Sequence, residues 1–178
     1  STMNAGKSTA LLQSAHNYHE TGNETILFIP REDAERNSGL IKSRIGLSAS
    51  AIVIDSKLKI FEYVQKEVEK RKIDAILVDE AQFLKKHHVL QMCKICDELE
   101  IPVMCYGIRT DFRGELFEGS ASLLALADNL IELKTVCNEC SKKATMVVRL
   151  DENGKVVTKG SKVQIGGNDC LLYTSPSP

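Results

Sequence analysis

The chain has 178 residues, 43% of them hydrophobic, with 23 basic and 24 acidic side chains, a net charge of −1 and six cysteines. That is enough apolar material for one domain with at most a small appendage, and the balanced charge excludes a broad nucleic-acid or anionic-membrane footprint. No apolar run approaches the roughly 20 residues of a membrane span and no signal peptide is visible. The cysteines are too sparse for a disulfide framework, which points to reduced thiols and a cytoplasmic setting.

The first eight residues, Ser1-Thr2-Met3-Asn4-Ala5-Gly6-Lys7-Ser8, have the spacing G-x-x-x-x-G-K-[ST], with Ser1 where the first glycine is expected. Such a loop is entered from a hydrophobic strand and left by a helix. Residues 7–19 read as that helix, but no strand precedes the loop. "ETILFI" (24–29) is a short buried strand, and residues 31–50, polar with two glycines, read as a long mobile loop. "AIVI" (51–54) is a second strand, and Leu58, Phe61, Val64 and Val68 at helical spacing predict a helix over 57–71. Strand "DAILVDE" (74–80), helix 87–100, strand "IPVMCYG" (101–107), helix 120–129 and strand "LIELK" (130–134) follow. Strands alternating with helices predict an α/β fold built on a parallel sheet. Beyond residue 135 the pattern alternates, and Asn153-Gly154 supplies a hairpin turn, so a small β appendage is expected.

A loop of this kind turns backbone N–H groups toward a phosphate and adds the positive end of the helix. Gly6 permits close approach, Lys7 neutralises the β and γ oxygens, and the Ser8 hydroxyl suits Mg²⁺. The matching acid belongs at the end of a buried strand, and "ILVDE" supplies it: Asp79 for the Mg²⁺ shell, with Glu80 pointing elsewhere and available as a base. These residues imply a nucleotide with magnesium, while leaving open what receives the phosphoryl group.

Downstream segments address that question. "ILVDEAQFL" (76–84), "CYGIRTDFRGELFEGS" (105–120), "LADNLIELKTVC" (126–137), "KATMVVRLD" (143–151) and "VQIGGN" (163–168) appear in order, after "MNAGKSTALLQS". Together they resemble the type II thymidine kinase family, the bacterial and cytosolic animal kind, over most of residues 1–169. The resemblance implies a phosphate-loop, RecA-like parallel sheet with flanking helices (residues 1–135) and a small zinc-ribbon-like or lasso unit (136–169). It implies transfer of the γ-phosphoryl group of ATP to the 5′-hydroxyl of thymidine or deoxyuridine, with Glu80 as catalytic base. By the same resemblance, Ser1 through Ser8 (Ser1, Thr2, Met3, Asn4, Ala5, Gly6, Lys7, Ser8) and Asp79, Glu80, Ala81 and Gln82 surround ATP. Met3, Phe83, Ile108, Phe112, Phe117, Gln164 and Gly166 enclose the nucleoside, and Ser8 and Asp79 hold Mg²⁺. The family also implies a homotetramer and inhibition by the end-product triphosphate. Read without the family, Phe112 and Phe117 would be core residues. Arg109 and Arg113 either reach phosphates or pair with Asp111 and Glu115.

Cys93 and Cys96 lie on an apolar helix face with Val89, Met92 and Leu99, and Cys105 lies on a strand, so all three read as core. Cys137-x-x-Cys140, in a turn, is half of a structural zinc site. The family's second pair, expected soon after "IGGN", is replaced by "DCLLYTSPSP". The expectation is therefore that residues 170–178 are not native sequence, that the strand before the loop was lost upstream, and that turnover by the chain as it stands is weak. Two other classes of function compete: an ATPase motor or switch, which would hydrolyse nucleotide without a nucleoside, and a zinc-ribbon binding module, which would need four ligands and a basic surface.

Overall fold

The runs TILFIP and AILV are apolar at nearly every position, the pattern of strands covered on both faces. The computed structural model describes residues 5–137, 140, 142–151, 153, 155–157, 160 and 171–174. In chain order it contains helix α1 (Lys7–Glu20), strand β1 (Thr25–Pro30), helix α2 (Arg31–Asn37) and hairpin strands β2 (Leu40–Lys42) and β3 (Ser48–Ser50). Strand β4 (Ile52–Ile54), helix α3 (Ile60–Val68), strand β5 (Ala75–Val78), a 3-10 turn (Ala81–Phe83), helix α4 (Lys86–Leu99) and strand β6 (Val103–Cys105) follow. Helix α5 (Glu118–Leu126) precedes short strands β7 (Thr135–Val136), β8 (Lys143–Ala144), β9 (Met146–Arg149) and β10 (Leu171–Thr174).

Strands β4-β1-β5-β6, in that order, form a parallel sheet, the α/β arrangement expected from the alternation of elements. Successive side chains of a strand point to opposite faces, and here they divide the core in two. Ile26, Phe28, Ile76 and Val78 pack with Ile60 and Val64 of α3 and Val89, Met92 and Ile95 of α4. Ile29, Ala75 and Leu77 pack with Leu11, Leu12 and Ala15 of α1 and Ile41 of β2. Both faces are covered, which leaves the ends of the strands as the place for a site.

Residues 31–50 are not the loop that their polarity predicts. Arg31–Asn37 is helical: Asn37 Nδ2 donates to Asp33 Oδ2 at 2.9 Å one turn earlier, and Ala34 is buried on the sheet. Ser38 and Gly39, at φ 55 and 72, stop the helix. The β2–β3 hairpin then docks through Ile41, 1% exposed. Few buried residues carry this region, too few for a periodic signal. The helix predicted from Lys57 begins instead at Ile60, because Asp55 Oδ1 accepts the N–H groups of Lys57 and Leu58 at 2.9 and 2.8 Å and holds a turn.

The strand expected at 130–134 does not form. Among the described residues no strand pairs with it, and Leu130 and Ile131 are 64% and 86% exposed. In the C-terminal part, β7 pairs with β8 and β9 with β10, both antiparallel, and Leu150 bridges Val156. No helix among the described residues is long and apolar enough to cross a membrane.

Helix α5 approaches the 3-10 turn closely because Gly119 has no side chain: a Cβ there would lie 2.5 Å from the Ala81 carbonyl oxygen and 2.8 Å from that of Leu84. The contacts are backbone and have little room to yield. Gly119→Ala is expected to destabilise the fold by about 1–3 kcal/mol, read as a shift in the urea midpoint with unchanged slope.

Candidate functional site

The carboxyl end of β5 is where the polar residues converge. Asp79 continues the strand, its N–H donating to the Phe28 carbonyl at 3.0 Å, so its side chain is fixed by the sheet. It is 2% exposed. Across from it, α1 starts at Gly6, whose φ of 70 turns the chain into the helix, and Lys7 and Ser8 occupy the first turn. The Ser8 hydroxyl is near enough to the Asp79 carboxylate to favour its ionised form, while the buried Oδ1 of Asp79 has no hydrogen-bond partner. Burial and the neighbouring Glu80 charge raise the Asp79 pKa to about 6. Lys7 is 7% exposed. Burial lowers its pKa, and the nearby Glu80 and Asp79 charges oppose that effect.

Glu80 leaves the strand in a left-handed conformation (φ 46, ψ 39), which turns its side chain away from that of Asp79. A non-glycine residue there carries backbone strain, a feature concentrated at functional sites. Gln82 Nε2 donates to Glu80 Oε2 and so orients the carboxylate. The other end of the Gln82 amide, Oε1, accepts the Ile108 N–H at 3.2 Å. Gly107 makes this possible, since a Cβ there would lie 2.9 Å from Gln82 Oε1.

Segment 107–117 is built around Asp111, a buried carboxylate accepting the N–H groups of Arg113 and Glu115 at 2.9 and 3.0 Å. Arg113 is paired with Asp111 at 3.1 Å and Glu115 at 2.9 Å, the second of the two roles the sequence leaves open for it. Arg109 is exposed. Ser120 Oγ donates to the Ile108 carbonyl at 2.6 Å and ties the segment to α5. Phe117 is buried edge-on against Phe83, ring centroids 5.8 Å apart, the core placement that its residue type alone suggests. Phe112 is half-buried between the guanidinium groups of Arg113 and Arg149.

The structure thus brings together Gly6, Lys7, Ser8, Asp79 and Glu80, with Ala81 and Gln82 buried directly behind. Phe83, Ile108, Phe112 and Phe117 adjoin this group through Gln82 and the 107–117 segment. Ser1, Thr2, Met3, Asn4, Gln164 and Gly166 lie outside the described residues. Two cations were not anticipated. Arg44, in the Ser43–Leu47 turn, lies near enough to Lys7 to depress its proton affinity, and Arg149 lies on β9. A lone arginine in "SRIG" or "VVRL" is a signal too weak to single out.

Cys93 and Cys105 pack against the core, with the Cys105 thiol 3.8 Å from Met92 Sδ and pushed up to about 12 by burial. Cys137 and Cys140 cluster with Ala144 and Val147. Among the described residues no three His, Cys, Asp or Glu side chains gather as a metal site, and Cys137 and Cys140 amount to two of the four ligands that a tetrahedral zinc takes.

A parallel sheet delivering two acids to the N-terminus of a glycine-led helix is the architecture of the phosphate-loop phosphotransferases. A sequence model of the family described as Thymidine kinase matches residues 1–175. The chain is 49% identical over 172 residues to a thymidine kinase of Haemophilus influenzae, covering 97% of this chain and 89% of that protein. It is 52% identical over 172 residues to one of Yersinia pseudotuberculosis (97% and 87% covered) and 51% over 168 residues to one of Zymomonas mobilis (94% and 86%). The chain belongs to the thymidine kinase family.

The Asp79 shift makes a stability prediction for the protein free of metal and nucleotide. Its folded pKa, about 6, lies above the reference 3.8, so its stabilising contribution is full below pH 4 and is lost as pH rises through 6. Asp79→Asn cannot ionise and escapes this loss. The variant is expected to gain about 2 kcal/mol relative to wild type between pH 4 and pH 7, measured by denaturant titration at each pH. A constant difference would contradict the assignment.

Proposed function

We propose that the protein transfers the γ-phosphoryl group of ATP to the 5′-hydroxyl of thymidine or deoxyuridine, yielding the nucleoside monophosphate and ADP. The observation that carries this reading is the meeting of Lys7, Ser8, Asp79 and Glu80 between the start of α1 and the end of β5.

The first-turn N–H groups of α1 and the Lys7 ammonium hold the β- and γ-phosphates and offset the charge that grows on the bridging oxygen. The Ser8 hydroxyl and the orphaned Oδ1 of Asp79 fit a magnesium ion; when bound, it supplies charge neutralisation and orients the phosphate oxygens. Glu80, oriented by Gln82, takes the proton of the 5′-hydroxyl as that oxygen bonds to the γ-phosphorus and the bond to the ADP oxygen breaks. Phe83, Ile108 and Phe112 line the nucleoside side, with Phe117 packed behind Phe83. Met3, Gln164 and Gly166 complete that side by family resemblance. A cytoplasmic homotetramer belongs to the same reading, and the exposed Leu124, Leu126, Leu130 and Ile131 offer an apolar surface for assembly.

Incubation with labelled ATP, Mg²⁺ and a panel of nucleosides tests the reading. Label is expected on thymidine and deoxyuridine and not on purine nucleosides. Release of phosphate with no nucleoside labelled would favour the ATPase motor instead. Lys7→Ala is expected to abolish transfer. Glu80→Gln is expected to lower kcat by about 100- to 10,000-fold while ATP binding by calorimetry stays within twofold.

A further inference from the structure

Arg149 is not engaged as the neighbouring arginine is. The Arg113 guanidinium is held by Asp111 and Glu115, and its Cζ lies 5.7 Å from the Phe112 ring centroid. The Cζ of Arg149 lies closer to that centroid, at 5.3 Å, and its buried Nη1 has no hydrogen-bond partner. A buried guanidinium nitrogen without an acceptor is unfavourable unless something else stabilises the cation. The face of an aromatic ring does so electrostatically, and more strongly when water is excluded.

The backbone beneath Arg149 is held on two sides. Its carbonyl accepts the Val157 N–H at 2.8 Å, and it pairs with Leu171 in the antiparallel β9–β10 ladder. Gly160 lies against the head group, where a Cβ would stand at an ordinary contact distance of 3.4 Å from Nη1. The arginine is therefore presented from a paired strand toward a ring on another segment, with its Cζ over that ring.

We infer that Arg149 is a positioning residue: stacked on Phe112, it fixes the ring as a wall of the nucleoside site and couples the C-terminal β unit to substrate binding. This rests on the nucleoside-kinase reading above. The expected signature is confined to the nucleoside, because the phosphate-binding residues lie on α1 and β5, away from the stack.

Arg149→Met keeps the apolar stem and removes the cation, whereas Arg149→Lys keeps a cation over the ring. Arg149→Met is expected to raise the KM for thymidine about tenfold, equivalent to about 1.4 kcal/mol, with kcat and the KM for ATP within about twofold; Arg149→Lys recovers most of the loss. On a Phe112→Leu background, Arg149→Met should have little further effect on KM. Equal loss in both backgrounds, a parallel rise in the KM for ATP, or no rescue by lysine would overturn the inference. A readout independent of substrate is ¹⁹F NMR of protein labelled with 4-fluorophenylalanine. The chain has five phenylalanines, and Phe112→Leu identifies the relevant resonance. That resonance should shift or broaden in Arg149→Met and stay near its wild-type position in Arg149→Lys. An unmoved resonance overturns the inference whatever the substrate, whereas a moved one with no nucleoside phosphorylated overturns only the kinase reading.

Discussion

Three charged groups, Lys7, Asp79 and Glu80, are held together where the central strand β5 ends and helix α1 begins. Withdrawing the charges of Lys7 and Asp79 from water costs several kcal/mol each before pairing is counted. Their mutual attraction offsets part of that cost and leaves the remainder visible: Lys7 binds its proton less tightly, Asp79 more tightly, and one Asp79 oxygen has no partner. In the proposed reaction a metal-bound triphosphate would bring positive charge to Asp79 and negative charge to Lys7 and the helix.

The sheet makes this arrangement tolerable. Apolar residues from α1 on one face and from α3 and α4 on the other exclude water from β1 and β5. Only the strand ends remain for polar chemistry, and Asp79 takes the last ladder position, hydrogen-bonded to Phe28. Glu80 can then diverge within one residue only through a left-handed backbone. Gln82 bridges this carboxylate to the 107–117 segment, and two glycines without side chains, Gly107 and Gly119, allow that segment and α5 to close on the turn. The proposed base and the nucleoside wall thus belong to one packed block, so movement of α5 would be felt at Glu80.

Where elements were misread, the reason is local. Helix α2 buries Ala34 and is otherwise largely polar, so its periodicity is faint beside its loop-like composition. Residues 130–134 have the composition of a buried strand, but strand structure needs a neighbour to hydrogen-bond, and among the described residues no strand pairs with them. The sequence leaves open whether Arg113 reaches a phosphate or pairs with Asp111 and Glu115, because a cation suits either role; in the structure it pairs with both acids.

From the sequence alone came the alternating α/β order, the loop ending in Gly6-Lys7-Ser8, the acidic pair after a buried strand, and the segments that mark the family. These are legible because hydrophobic period and short contiguous motifs are local properties. Tertiary structure decided which groups meet: Asp79 with Ser8, Glu80 with Gln82, Arg44 near Lys7, and Arg149 on Phe112. Such meetings depend on burial and on contacts between residues distant in the chain, and a cation's partner has no periodicity from which it can be read.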